Sequence, residues 1–166
     1  MDAEKFTKKS LEVIESCEKL AYEYNNQELT QAHLMYALVT VEDSLIAKLL
    51  TNMGINMDAF TGEWEKLVAN RPKVSGGQLF TSPEFSKALI QAEKEAKQMG
   101  DDYISVEHIF LGLLEKADKD IKRVINAYGI TRGKFLEVLA NIRGNRKVES
   151  DNPEDTYDAL NKYGYN

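Results

Sequence analysis

A chain of 166 residues and 18.8 kDa, 43% hydrophobic and 29% charged, is long enough to bury about 70% of its unfolded surface, so one domain, or two small halves packed together, is expected. Twenty-seven acidic against 21 basic residues leave a net charge of −6, which argues against sequence-independent grip on nucleic acid, since that needs a basic footprint. The lone Cys17 excludes an internal disulfide, and the opening MDAEKFTKKS has no apolar stretch of signal-peptide length, so the expectation is a soluble cytoplasmic protein with no membrane segment.

In chain order, Thr7 is placed to cap a first helix, with Phe6 and Leu11 set for a hydrophobic staple. Its apolar stripe is Leu11, Ile14, Cys17, Ala21 and Tyr24, at the three-to-four spacing of one buried face. Asn25 is the left-handed residue that ends it. Thr30 caps a second helix carrying Leu34 and Leu38, and Gly54 terminates a third. Asn56 opens a fourth, carrying Phe60, Trp64 and Leu67. The run Asn70-Arg71-Pro72-Lys73-Val74-Ser75-Gly76-Gly77 is a loop by composition. Beyond it the signals recur: Ser82-Pro83 as cap and first-turn proline, Gly100 as terminator, and Ser105 as cap before Ile109 and Leu113. Gly129 follows as terminator, then Thr131 before Phe135, Leu139 and Ile142. No stretch shows period-two alternation.

The recurrence has a fixed offset of 75 positions. Thr30-Gln31-Ala32-His33-Leu34 falls on Ser105-Val106-Glu107-His108-Ile109, Met53-Gly54-Ile55 on Tyr128-Gly129-Ile130, and Asn25 on Gly100. The expected fold is therefore all-α: two pseudo-two-fold-related four-helix repeats, about 7–69 and 82–143, packed as one domain over 1–144. Residues 145–166 are polar, with five acids and three bases. They read as a linker toward an absent module, with at most a short helix from Asn152 to Leu160.

A phosphate-binding loop needs four residues between its glycines and a hydroxyl after the lysine. Gly129-Ile130-Thr131-Arg132-Gly133-Lys134-Phe135 offers three and no hydroxyl, so no nucleotide site is expected. Cys17 with His33 or His108 suggests a thiol nucleophile and base, but Cys17 lies on the inner stripe, as a small core hydrophobe would. The histidines occupy matching repeat positions as a structural pair, and two ligands make a poor zinc site. Asp101 and Glu107 stand out because the repeat does not duplicate them: their counterparts are Asn26 and Ala32. Either they form a single anionic spot, or Glu107 merely complements a helix dipole and Asp101 is an ordinary loop acid.

The pattern Ile104-Ser105-Val106-Glu107-His108-Ile109-Phe110-Leu111-Gly112-Leu113-Leu114, together with its first-repeat counterpart, resembles the double repeat of Clp ATPase N-terminal domains. Pro72-Lys73-Val74-Ser75-Gly76-Gly77-Gln78-Leu79, the tail from Asn152 to Gly164 and the opening Glu4-Lys5-Phe6-Thr7 resemble the ClpB branch. The resemblance implies a substrate-binding chaperone domain that captures unfolded or aggregated polypeptides for a hexameric AAA+ disaggregase. It implies a monomeric fragment without cofactor, ATP and magnesium belonging to the absent ATPase modules. By the same resemblance Thr7, Asp101 and Glu107 engage substrate. The resemblance also implies an apolar groove near the first two helices of the second repeat, with Tyr103 and Val106 as its members. Gln91 and Glu95 are expected on the solvent side of helix five. Adaptor docking, as in protease-coupled relatives, and a small enzyme using Cys17 remain the competing classes.

Overall fold

Each helix opens where a short polar side chain can take an amide that has no intrahelical partner. The computed structural model describes residues 2–154. Thr7 Oγ1 accepts from the Ser10 amide at 3.1 Å and starts α1 (Lys8–Glu23), and Ser82 accepts from Phe85 at 3.0 Å to start α5 (Pro83–Gln98). Between and after them run α2 (Gln31–Thr40), α3 (Leu45–Asn52), α4 (Met57–Ala69), α6 (Val106–Glu115), α7 (Lys119–Ala127) and α8 (Arg132–Arg143). Adding 75 to the limits of α1 and α2 gives those of α5 and α6, and the last two pairs agree to within one residue. Asn25 (φ 57°) and Gly100 (φ 73°) both take the left-handed conformation that ends a helix. One backbone requirement is met by two residue types.

Two short pairings tie the repeats together. β1 (Glu28–Leu29) lies parallel to β2 (Phe80–Thr81), with Leu29 opposite Thr81, and Phe6 bridges to Ile104 in the same sense. Under the 75-residue shift, Phe6 becomes Thr81 and Leu29 becomes Ile104. Each repeat thus pairs the residue before its first helix with the residue before the other's second helix. The bonds match as well: Thr7 N–H donates to Ile104 O at 3.0 Å, and Ser82 N–H to Leu29 O at 2.9 Å. Strands of two residues are too short to leave an alternating pattern, which is why none is visible in the sequence.

One continuous core serves both repeats. α2 and α6 are buried nearly all round, and Trp64, Phe60, Phe85, Phe110 and Phe135 are fully buried around them. Phe60 stacks edge-on to Trp64 at 5.3 Å and to Tyr128 at 5.2 Å. The stripe of α1 is rotated from the expected one: Ser10, Val13, Cys17, Leu20 and Ala21 are buried, while Leu11, Ile14 and Tyr24 are half-buried. Ser10 turns inward because its hydroxyl donates to Ile104 O at 2.9 Å. Burial pushes the Cys17 thiol up, so Cys17 is held protonated in the core, away from the thiolate state a nucleophile needs.

α5 and α6 approach each other closely at Gly112, where an added Cβ would stand 2.3 Å from Ala88 O. After α8 the chain turns back along the molecule. Val148 is fully buried, the Asp102 amide donates to Val148 O and the Lys8 amide to Asp151 O, both at 2.8 Å. The short helix expected through Leu160 lies, beyond Glu154, outside the described residues. Among the described residues no helix is long and apolar enough to cross a membrane.

Candidate functional site at the α1–α6 junction

The two histidines build the same device twice. His33 Nδ1 accepts from the Thr30 amide at 3.0 Å and His108 Nδ1 from the Ser105 amide at 2.9 Å. This is a capping box with imidazole in the place usually held by Glu or Gln. Accepting at Nδ1 fixes the proton on Nε2. That N–H donates to Asn26 Oδ1 at 2.9 Å in the first repeat and to Asp101 Oδ2 at 2.7 Å in the second. Burial holds His33 down at about 4, with Arg71 adding to the effect, so it stays neutral at pH 7. Both histidines are structural.

The repeats diverge in what surrounds this device. Asn26, Ala32 and Val68 of the first repeat become Asp101, Glu107 and Arg143 in the second. A neutral pocket thereby becomes a buried ion cluster. Arg143 bonds Asp101 Oδ1 through Nη2, and its Nη1 lies 3.5 Å from Glu107 Oε2. Ser105 Oγ donates to Glu107 Oε1, and the Val148 amide donates to Asp101 Oδ1 at 3.0 Å. Burial alone would raise Asp101, but hydrogen bonds from His108, Arg143 and Val148 overcome it and hold the carboxyl well below the usual carboxylate range.

Glu154 completes the arrangement from outside the repeats. Its Oε2 accepts from Thr7 Oγ1 at 2.8 Å and from the Val106 amide at 3.3 Å, so it sits between the N-terminal ends of α1 and α6. Burial, with the Glu107 carboxylate beside it, pushes Glu154 up to about 7. Glu107 Oε2 and Glu154 Oε1 have no hydrogen-bond partner among the described residues. Arg143 pairs with Asp101 and Glu107, and among the described residues no cation pairs with Glu154.

Thr7, Asp101, Glu107 and Val106 therefore converge on one spot, and Tyr103, in the loop between Asp101 and Ser105, is half-buried. All but Tyr103 are buried: Thr7 and Glu107 are 0% exposed, Val106 2% and Asp101 8%. The acids form a covered, ion-paired floor in place of an open anionic rim. The Val106 side chain points into the core, and its amide is what meets Glu154. Gln91 and Glu95 require a correction, since both are buried on α5 and not on its solvent side. Arg132 Nη2 reaches Glu95 at 2.6 Å and Gln91 donates to it at 2.8 Å. Burial opposes ionisation of Glu95, but these bonds lower its pKa. Glu95 is the repeat counterpart of Leu20, itself buried, so the shift of 75 would have placed it inward.

Arg143 and Glu154 escaped the sequence reading. Arg143 was detectable as a charge at the repeat position of the apolar Val68, compensating two new acids. Glu154 carries no such mark, because it lies outside both repeats. An open cleft of about 330 Å³ borders the cluster, lined by Met99, Leu136, Leu139, Ala140 and Arg143. Its apolar wall comes from α8 and the end of α5. Elsewhere Tyr22, Val74, Phe80 and Ile90 are exposed. Among the described residues no group of three or more His, Cys, Asp or Glu is placed to hold a metal ion.

A family model for the Clp repeat (R) N-terminal domain matches residues 5–128. The chain is 41% identical to the chaperone protein ClpB of Nitratidesulfovibrio vulgaris, over 99% of its own length and 20% of the relative's. It is 40% identical to that of Clostridium tetani, over 100% and 20%. Among solved structures it is similar to the Hsp104 N-terminal domain from Candida albicans, with TM-score 0.79 and 20% identity, covering 90% of this chain and 99% of that one. It is also similar to the N-terminal domain of the ClpV1 ATPase from E. coli, with TM-score 0.62 and 15% identity, covering 96% and 85%. At those identities the two structures speak for the fold alone. The chain spans about a fifth of the length of the curated relatives it matches.

Proposed function

Because the chain belongs to the Clp repeat (R) N-terminal domain family, we propose that it is the capture domain of a ClpB-type disaggregase, binding exposed segments of unfolded or aggregated polypeptides for threading by an ATP-driven hexameric ring. The observation that carries this reading is the identity of 40–41% to ClpB chaperones, which runs through both repeats and the segment after α8. Nucleotide and magnesium would be handled by the remaining four fifths of such a protein, and this domain would do no chemistry.

The α1–α6 junction is the proposed contact. Thr7 Oγ1 and the Lys8 and Val106 amides are donors suited to any backbone carbonyl, Glu107 suits a basic side chain, and Tyr103 offers an aromatic edge. None of these reads sequence in a fixed register, so binding is expected to be weak and tolerant of many clients. Six tethered copies would compensate through effective concentration.

The test is binding of a permanently unfolded, fluorescently labelled protein, followed by anisotropy. Tyr103→Ser should weaken it by roughly fivefold, as removal of one aromatic contact of about 1 kcal/mol does, with little change in melting temperature because Tyr103 is not in the core. Unchanged affinity would contradict the placement of the site. A tight one-to-one complex with a single partner, and no binding to unfolded chains, would assign adaptor docking instead.

A further inference from the structure

Resting on that reading, we infer that residues 148–154 are a strap that occupies the client site of their own domain, with Glu154 as its latch, and that clients bind when the strap leaves. The strap takes the donors a client would need. The Asp151 carbonyl holds the Lys8 amide at 2.8 Å, and the Glu154 carboxyl holds the Thr7 hydroxyl and the Val106 amide. Val148 pairs with Asp101 and Asp102 at the other end. The starts of α1 and α6 are thus capped by a segment far from them in sequence, irregular from Val148, bent at Ser150 and Asp151, and turning helical at Pro153 and Glu154. Thr7, Val106 and Glu107 are buried, so with the strap in place no client side chain can reach them.

The latch is poor by construction. Facing Glu154 are the neutral Thr7 from α1 and Glu107 from α6. Behind Glu107 lie Arg143 of α8, already shared with Asp101, and His108, whose Nε2–H is committed to Asp101. The nearby Lys8 ammonium lies 3.9 Å from Asp151, on the surface. Glu154 consequently prefers to dock protonated, with a docked value of about 7 against an ordinary 4.5. A raised docked value means docking is fully favoured below pH 4.5 and weakens as pH rises through 7. Between pH 6 and pH 8 the docking constant should fall roughly tenfold.

Two readings on the whole 166-residue chain test this: hydrogen-exchange protection of the Lys8 amide, and anisotropy with the unfolded protein, each at pH 6 and pH 8. Wild type should lose roughly tenfold in Lys8 protection and bind the client several-fold tighter at pH 8. Glu154→Gln, which keeps an uncharged carbonyl, should stay docked and bind weakly at both. Glu154→Ala should be undocked and bind tightly at both, with native shifts elsewhere showing an intact fold. Lys8 protection independent of pH, together with wild-type affinity in Glu154→Ala, would overturn the strap while client binding itself upheld the capture role. No binding by any variant, including Glu154→Ala, would overturn the capture reading and the competition with it.

Discussion

Arg143→Met should destabilise the domain by about 3–5 kcal/mol at pH 7, read as a lower urea midpoint at unchanged slope. The arginine is 3% exposed and faces Asp101 and Glu107, so its removal leaves two buried carboxyls without their cation. The pair is not thereby a source of net stability, since a buried ion group repays its desolvation only when complete. Replacing all three, Asp101→Asn, Glu107→Ala and Arg143→Val, installs the set the first repeat already uses at Asn26, Ala32 and Val68 and should recover most of the loss. The sign with pH follows from Asp101. Its folded value is depressed, so its contribution is present above about pH 4 and is lost as pH falls through the folded value. The gap between wild type and Arg143→Met should therefore close in acid.

Gly112→Ala should cost about 3 kcal/mol, the upper part of the range for overpacking, although alanine is the better helix former by about 1 kcal/mol. The added methyl would meet Ala88 O at 2.3 Å and Ala92 N at 3.0 Å. These are backbone atoms of α5 that cannot swing aside as a side chain would, so the two helices must separate. Gly62→Ala, in α4 with nothing within 4 Å of its new methyl, should instead stabilise by about 0.5–1 kcal/mol. Thermal melts of the two variants should move in opposite directions. If Gly112→Ala melted like wild type, the close approach of α5 and α6 would be refuted.

The residues that made the fold legible are those acting within one turn of helix. Thr7, Ser82, Thr30, Ser105, Asn56 and Thr131 each satisfy a nearby backbone group, and Asn25 and Gly100 each supply one left-handed residue, so sequence spacing records them. The offset of 75 then supplied the architecture, because two helix sets with the same caps must bury the same faces. The site was legible only in part. Asp101 and Glu107 stood out by failing to repeat, but their burial depends on Arg143, 42 and 36 positions away, and on Glu154, 53 and 47 positions away. No local period encodes contacts of that range. Glu95 was misplaced because a charge on a helix is solvated by default, and the cation that draws it inward, Arg132, belongs to another helix.

Capture of unfolded chains at the α1–α6 junction can be read by titrating the domain with a permanently unfolded protein and following the domain's amide chemical shifts. Weak binding is expected, with shifts centred on Thr7, Lys8, Tyr103 and Val106 and a larger response in Glu154→Ala than in wild type. Shifts confined to the exposed Tyr22, Val74 and Phe80, or silence from both proteins, would contradict it.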